Sequence, residues 1–423
     1  MLGKYNQIRE NLTAGFQTLT GASKHFLVNR NDPKLYKTIT VPTSPLQPGQ
    51  ILIRINQLGL TSNNITYASL GSSYPYMNFF PAPDSSLFDE WAQLPAWGMG
   101  VVEQIQDQNS NLKVGDSIYG LFPASTHCTL NPTRKTETGF YVDRPAIPAD
   151  FAFYNGYSVV GKDPFLGVTS DEFTVILRPL FLTGLLLADR LKFDNFMQGD
   201  KVVISSASSK TAYGLAKALA IDKACKIVGL TSQANLSYSQ SLGVYDEVIT
   251  YDRFSSIQSD AGVCYIDIAG NTEVRKAIAK HLGEGLKLIL SVGMTHGNDH
   301  ATYALPEGFQ GKSELFFAPG WSTKRQRDLG PLPWFKVLLN GWKSQVQGLD
   351  QHFKIIQKDG LEGLTDAYSC FLTGSSRPDT CYVISNQKLE LAHKGDAVER
   401  HESSSSHAIT GTLQLKKPTT SKY

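Results

Sequence analysis

The chain has 423 residues, enough for about two domains, with 41% hydrophobic and 18% charged residues, so it can bury substantial cores and does not read as a disordered chain. Lysine and arginine number 40 against 38 acidic residues, a net charge of +2, which gives no ground for a nucleic-acid or membrane-surface partner; an anionic ligand would need a local site. The five cysteines (Cys128, Cys225, Cys264, Cys370 and Cys381) are scattered without a Cys-x-x-Cys pair, which argues against a disulfide framework and a structural zinc site and for a reducing compartment.

Residues 1–24 form an extension without a long apolar core or cleavage signature, so no signal peptide is read there and cytoplasm is the default location. No stretch of the chain is apolar for long enough to span a bilayer. Residues 25–180 read as mostly β. Isoleucines alternate in Ile51-Leu52-Ile53-Arg54-Ile55 after the Pro48-Gly49 turn, Gly98 to Ile105 forms a second strand, and Ser117-Ile118-Tyr119-Gly120 follows the turn Lys113-Val114-Gly115-Asp116. Many short strands with glycine and proline turns predict a barrel or sandwich.

The pattern changes at Phe181, where Phe181 to Ala188 reads as an apolar helix. Over 181–320, short apolar strands (201–205, 226–230, 247–250, 264–268, 286–290 and 314–317) alternate with helices at 211–221, 236–242 and 273–282. Continuous apolar strands with intervening helices predict a doubly wound α/β domain with a parallel sheet covered on both faces. Residues 321–392 return to mixed helix and strand signals. The stretch 393–423 is polar, holds Glu402-Ser403-Ser404-Ser405-Ser406-His407, and reads as a loosely ordered tail.

The sharpest site is Ser205-Ser206-Ala207-Ser208-Ser209-Lys210-Thr211-Ala212-Tyr213-Gly214. It follows the first strand of the α/β half and opens a helix, so backbone N–H groups and a helix N-terminus face whatever sits above the strand ends, which favours a phosphate. Ser206, Ser208, Ser209, Lys210 and Thr211 are the contacts expected there. Ser208 or Ser209 can cap the helix, and Gly214 is expected to permit tight packing on the strand. Serines and Ala207 stand where the standard Gly-x-Gly-x-x-Gly has glycines, so a capped helix start without a ligand, or a degenerate P-loop ending in Ser209-Lys210-Thr211, competes with this reading. The second strand ends in Leu230-Thr231-Ser232-Gln233-Ala234-Asn235 without the acid that usually bonds the ribose hydroxyls of NAD, which selects NADP(H), with Ser232, Asn235 and Tyr251 as further contacts.

These segments resemble a known superfamily. Val114-Gly115-Asp116 behind the Gly98 to Ile105 strand is similar to the GroES-like domain of medium-chain dehydrogenases and reductases. Asp267-Ile268-Ala269-Gly270-Asn271 resembles the Asp-x-x-Gly segment after the fourth Rossmann strand, Leu242 to Tyr251 its Leu-Gly-Ala-Asp…Val-Ile…Tyr stretch, and Ser291-Val292-Gly293 its loop after the fifth strand. Leu60 to Tyr67, the Tyr76 to Pro81 aromatic run and Ser205 to Gly214 resemble an uncharacterised, domain-of-unknown-function branch of zinc-free, quinone-oxidoreductase-like proteins. The resemblance implies a GroES-like barrel plus a Rossmann domain, Ala269 and Gly293 as further cofactor contacts, a dimer built partly through the Rossmann sheet, and hydride transfer between a nicotinamide and a quinone, enone or small carbonyl compound. Zinc-containing relatives carry cysteine and histidine near Leu60 to Asn64; Thr61, Ser62 and Asn63 stand here instead, so no metal is expected.

By the same resemblance Asn64 and Tyr67 face the nicotinamide, Asn64 to orient a carbonyl and Tyr67 to donate a proton or hydrogen bond. Tyr76 and Phe79 are candidates to line an apolar substrate pocket, with packing under a loop as the competing role. His127, beside Cys128, is a candidate general acid or a structural histidine. An NADPH-dependent reductase is therefore weighed against an NADP(H)-binding protein without turnover, a structural or regulatory module.

Overall fold

A computed structural model of the chain describes residues 21–70, 74–106, 111–292 and 309–386. Most of the N-terminal extension, the polar tail and Gly293 lie outside these described residues. In chain order, strands β1 (Ala22–Asn29), β2 (Tyr36–Pro42) and β3 (Ile51–Leu60) lead into helix α1 (Ser62–Ser69). Strands β4 (Trp91–Gln93), β5 (Pro95–Ile105), β6 (Ser117–Pro123), β7 (His127–Leu130), β8 (Pro132–Lys135), β9 (Gly139–Val142) and β10 (Gly156–Val159) complete the β-rich part. Helix α2 (Asp171–Phe193) is followed by β11 (Lys201–Ser205), α3 (Lys210–Ala220), β12 (Lys226–Thr231), α4 (Leu236–Ser241), β13 (Glu247–Thr250), β14 (Val263–Asp267), α5 (Thr272–Leu282), β15 (Leu286–Ser291) and β16 (Ser313–Leu315). The described chain closes with α6 (Ala318–Leu329), α7 (Pro331–Gln345), β17 (Lys354–Asp359), α8 (Gly360–Leu372) and β18 (Thr380–Ser385).

The strands of the β-rich part form a three-stranded sheet, β2-β1-β4, and a nine-stranded sheet in the order β17-β18-β3-β5-β6-β10-β9-β8 with β7 also on β3. Strand β18 returns from the end of the chain to pair antiparallel with β3, Tyr382 opposite Leu60. The remaining six strands make a parallel sheet in the order β13-β12-β11-β14-β15-β16, the doubly wound order that the alternation of apolar strands and helices predicts. Its period-two side-chain alternation serves two cores. Val202 and Ile204 pack with Leu187, Leu215 and Leu219 of α2 and α3 on one face, while Val203 packs with Ile278 and Ala279 of α5 on the other. GroES-like barrel plus Rossmann sheet is thus the architecture.

Helix α2 is longer than its apolar pattern predicts. It starts at Ser170, whose Oγ accepts from Phe173 N, and carries Pro179 inside. Proline has no N–H to bond the carbonyl one turn back, at Val175. That carbonyl lies against Gly59 of β3, where an added Cβ would stand 2.5 Å from it, so the break that a proline implies is absorbed by close packing on the barrel.

Gly214 has a different job from the one expected. Its α-carbon faces α2, with a Cβ there 3.1 Å from Phe181 Cδ1, and Gly184 of α2 approaches α3 so closely that a Cβ would lie 2.5 Å from Leu215 N. The two glycines let helices α2 and α3 cross backbone to backbone; the strand contact is made by other residues.

Beneath the strand ends lies a buried polar network. Ser205 Oγ, at the end of β11, accepts from Ile268 N at 2.9 Å and Ala269 N at 3.0 Å and donates to Asp267 Oδ1 at 3.3 Å. Asp267 Oδ1 also accepts from Gly270 N, and its Oδ2 receives Arg275 Nη1 at 2.9 Å. Arg275 is 1% exposed and Asp267 is 0% exposed. Burial raises the Asp267 carboxyl above its ordinary value, while the Arg275 charge and the Gly270 and Ser205 donors pull it back.

Two stability outcomes follow from this packing. Gly184→Ala, which puts a methyl into backbone, is expected to lower unfolding free energy by about 3 kcal/mol, against under ~0.5 kcal/mol for Gly285→Ala, where a Cβ meets nothing within 4 Å; urea midpoints with unchanged slopes measure both. Arg275→Met strands the buried Asp267 carboxylate and is expected to cost about 3–5 kcal/mol in the same assay, much of it restored when Asp267→Leu is added.

Candidate functional site

A cleft of about 1060 Å³ runs from the carboxyl ends of the parallel strands to the face of the barrel built by α1, β5 and β6. Ligands of open α/β sheets bind at such strand ends. Ser206, Ser208, Ser209, Lys210 and Thr211 line one end, with Ser232, Asn235 and Tyr251 beside them; Tyr67 and Tyr76 line the other. The segment Thr61, Ser62 and Asn63 also faces this space. Among the described residues, no three His, Cys, Asp or Glu side chains gather where they could hold a metal ion.

Local chemistry explains the loop at Ser205. Ser209 is the N-cap of α3, its Oγ accepting from Ala212 N at 3.2 Å. The backbone N–H groups of Lys210 and Thr211 lie in the first helical turn, where no intrahelical acceptor exists, and both residues line the cleft. Ser206 adopts φ +50° without being glycine; its N–H donates to Tyr251 Oη at 2.8 Å. The Tyr245 hydroxyl donates to Ala207 O at 2.8 Å. Two tyrosines thus clamp the turn that a glycine-rich loop would form unaided.

The Lys210 ammonium turns away from the loop. It donates to Thr380 O at 2.7 Å and Pro378 O at 3.1 Å, tying α3 to β18, and desolvation lowers its pKa. Its expected side-chain contact with a phosphate is replaced by this structural one. Ala269 is 2% exposed and its N–H is taken by Ser205 Oγ, so it supports the loop from below.

At the barrel end, Tyr67 stacks on Tyr76 with centroids 4.3 Å apart, and Tyr76 Oη lies 3.4 Å from Tyr154 Oη. Burial pushes the Tyr67 hydroxyl well above its ordinary 10.0, the neighbouring Tyr76 adds to this, and the Trp97 indole pulls slightly the other way. The hydroxyl is therefore a weaker acid than an ordinary tyrosine, better placed to donate a hydrogen bond than to give up its proton.

Besides Ala269, three expected site residues do not face the cleft. Asn64 is 3% exposed; its Oδ1 accepts from Thr61 N at 2.8 Å in a capping box and its Nδ2 donates to Pro95 O at 2.8 Å. Its amide is spent on starting α1 and fixing it to β5. Phe79 is 3% exposed and packs on Phe80 and Tyr154, the packing role that competed in the sequence. His127 sits on β7 with Nε2 3.3 Å from Glu103 Oε2 and Nδ1 3.0 Å from Thr126 Oγ1, a structural histidine on the barrel. Burial pushes the neighbouring Cys128 thiol up to about 12.

The cleft also holds residues that the sequence reading passed over. Arg178 and Asp163 pair at its wall at 2.9 Å, Trp97 stacks on Tyr119, and Arg134 and Arg377 reach its walls. Arg178 carries a legible signal: one cation stands inside the apolar run Val175-Ile176-Leu177-Arg178-Pro179-Leu180-Phe181, where a charge needs a partner or a purpose. Among the described lining residues the one acid is Asp163; of the cations, Lys210 is committed to β18 carbonyls and Arg377 is paired with Asp379, which leaves Arg134 and Arg178.

No helix among the described residues is long and apolar enough to cross a membrane. No curated protein matches the sequence. Solved structures similar to this fold include the quinone oxidoreductase from Coxiella burnetii, 16% identical with TM-score 0.55 over 86% of this chain and 100% of that one. CurA from Vibrio vulnificus, in complex with NADPH, is 16% identical with TM-score 0.56 over 86% of this chain and 99% of that one. A mutant form of enoyl thioester reductase from Candida tropicalis is 14% identical with TM-score 0.55 over 87% of this chain and 100% of that one. At these identities the likeness is one of fold, a β-barrel part joined to a Rossmann-type parallel sheet. A family model described as "Protein of unknown function (DUF2855)" matches residues 58–377, about three quarters of the sequence, and the chain belongs to that family.

Proposed function

We propose that the chain is an NADPH-dependent reductase that acts without zinc on a quinone, an enone or a small carbonyl compound. The observation that carries this reading is a single cleft in which a capped helix N-terminus and its serine loop stand at one end and a buried, protonated Tyr67 stands at the other. The solved structures of similar fold named for quinone or enoyl thioester reduction, one of them in complex with NADPH, support it.

The residues present fit the dinucleotide. The first-turn N–H groups at Lys210 and Thr211 suit a pyrophosphate. Ser232 and Asn235, at the end of β12, offer hydroxyl and amide donors with no carboxylate among the cleft-lining residues there, which suits a 2′-phosphate and disfavours nothing about it electrostatically. NADPH, when bound, supplies a hydride and leaves as NADP⁺. The substrate gains that hydride and one proton, two electrons in all. Tyr67 Oη is the group for the proton or for a hydrogen bond to the developing oxyanion, since it lines the cleft and burial keeps it neutral. Tyr76 holds the Tyr67 ring by stacking. Phe316, Phe317 and Leu338 bring apolar surface to the cleft walls, which helps exclude water around a reacting bond.

A second reading, a cofactor-binding module without turnover, draws on one observation. Tyr251 already occupies the Ser206 N–H, so the loop offers one donor fewer than a glycine-rich loop would.

Fluorescence titration of the full chain with NADPH and NADH tests the cofactor: NADPH is expected to bind at least about tenfold more tightly, roughly 1.4 kcal/mol, and equal affinities or a preference for NADH would refute the choice. NADPH oxidation over a panel of quinones and enones then separates the two readings, since saturable binding without turnover selects the module. In an active enzyme Tyr67→Phe is expected to lower kcat about 100-fold with the NADPH Kd unchanged; an unaltered kcat would remove Tyr67 from the chemistry.

A further inference from the structure

The guanidinium of Arg178 is poorly served by the protein. Its Nη2 donates to Asp163 Oδ2 at 2.9 Å, while Nη1 is buried and has no hydrogen-bond partner. The side chain is 12% exposed, and Asp163 is 6% exposed. The carboxylate is held in place by a second contact, Phe165 N to Oδ1 at 3.0 Å. The guanidinium carbon lies 4.6 Å from the Tyr119 ring centroid and 5.0 Å from that of Phe165, so its plane is fixed by aromatic neighbours. A desolvated cation with one arm satisfied and one empty is costly unless something else accepts from it.

A second unmet donor stands nearby. Trp97 is 8% exposed and stacks on the same Tyr119 ring, centroids 5.5 Å apart and planes 15° from parallel. Its Nε1 lies near enough to Tyr67 to lower that hydroxyl's pKa slightly but makes no hydrogen bond of normal geometry. Arg178, Asp163, Trp97, Tyr119 and Tyr67 all line the cleft. Arg178 and Trp97 pack on the same Tyr119 ring, the guanidinium carbon 4.6 Å and the indole centroid 5.5 Å from its centre, so both belong to one region of the cleft wall.

We infer that the substrate is a small carboxylic acid bearing a carbonyl or enone, whose carboxylate docks on Arg178 Nη1 while its reacting oxygen lies at the Tyr67–Trp97 end. This rests on the reductase reading of the cleft and deepens it by naming the substrate class. Asp163 fixes the guanidinium without consuming it, because it takes only Nη2. Of the other cations of the lining, Arg377 is paired with Asp379 at 2.9 Å, and Arg134 stands over the Tyr141 ring, so Arg178 is the cation this reading rests on. A carboxylate suits a planar two-nitrogen fork better than a neutral carbonyl does, since the hydrogen bond formed is charge-assisted.

The test uses the full chain saturated with NADPH and two probes, 4-oxopent-2-enoate and its methyl ester. Calorimetry and NADPH oxidation are read together. The acid is expected to bind or turn over at least about tenfold better than the ester, as a hydrogen bond to a buried charge gives. In Arg178→Gln/Asp163→Asn, where neither partner is left buried as a lone charge, that ratio is expected to fall to near one while NADPH still binds. Trp97→Phe, which keeps the ring on Tyr119, is expected to weaken acid and ester alike. Equal use of acid and ester by the unaltered protein overturns the inference, whether or not the double variant folds. So does binding of neither probe, or a double variant that keeps the ratio. Loss of NADPH binding in a folded double variant reassigns Arg178 to the cofactor and also overturns it. If NADPH fails to bind the unaltered protein, the reductase reading itself falls, an outcome the cofactor titration reports separately.

Discussion

The buried pair of Asp267 and Arg275, with Ser205 at its centre, is the contact on which the cleft depends. Three features of the Rossmann half converge there: the end of β11 through Ser205, the turn after the adjacent strand β14 through Ile268 and Ala269, and α5 through Arg275. Arg275 Nη1 also reaches toward Ser291 Oγ at the end of β15, at 3.5 Å. Strand ends in a parallel sheet leave carbonyls and N–H groups that no neighbouring strand satisfies, and a loop hung on them moves unless something closes them. A fully buried ion pair contributes little net stability on its own, because desolvation opposes the attraction, but removing either partner is expensive. It therefore acts less as a source of stability than as a lock on register, fixing where the Ser206 turn begins.

The second constraint is the approach of α2 to both halves of the molecule. Gly59 of β3 receives the carbonyl freed by Pro179, and Gly184 receives the backbone of α3. One helix is thereby pressed against the barrel at one end and against α3 at the other. Arg178 stands next to the proline, and Leu182, Thr183 and Leu186 of the same helix line the cleft. The close contacts that set the distance between barrel and sheet also place this row of side chains. Pro179, which itself lines the cleft, and the two glycines are consequently part of how the site is shaped.

The periodicity of the sequence carried the architecture because each half buries its strands in its own way. Runs such as Val202-Val203-Ile204 are apolar on both faces and predict a covered parallel sheet, whereas Ile51, Ile53 and Ile55 alternate and predict a barrel wall. The serine loop was legible from its position between a strand and a helix. Side-chain destinations were not. Asn64 and Lys210 have the chemistry of site residues, but Thr61 N, Pro95 O, Pro378 O and Thr380 O, which satisfy them, are brought near only by the fold. The strand β18 that claims Lys210 lies some 170 residues further along the chain. Trp97 and Tyr119 escaped notice for the opposite reason: an aromatic residue in an apolar strand reads as core, and only the cleft shows which aromatic residues form its wall.

The missing glycines of the loop illustrate how a motif can be dispersed without being lost. A standard turn uses glycine to reach positive φ and to let the strand beside it come close. Here Ser206 takes φ +50°, a conformation that costs an ordinary residue about 1 kcal/mol, and the Tyr251 hydroxyl offsets it by accepting the Ser206 N–H. Room for Ala207 comes from the neighbouring strand: a Cβ on Gly229 would stand 2.9 Å from Ala207 Cβ and 3.1 Å from the Tyr245 ring. Tyr245 uses that space to reach Ala207 O. The glycine has moved from the loop to β12, and two tyrosines supply the hydrogen bonds that hold the turn. Such a loop is more rigid than a glycine-rich one, since its shape is fixed by side chains anchored in other elements. The helix N-terminus that the loop opens is consequently held in one geometry before anything docks on it.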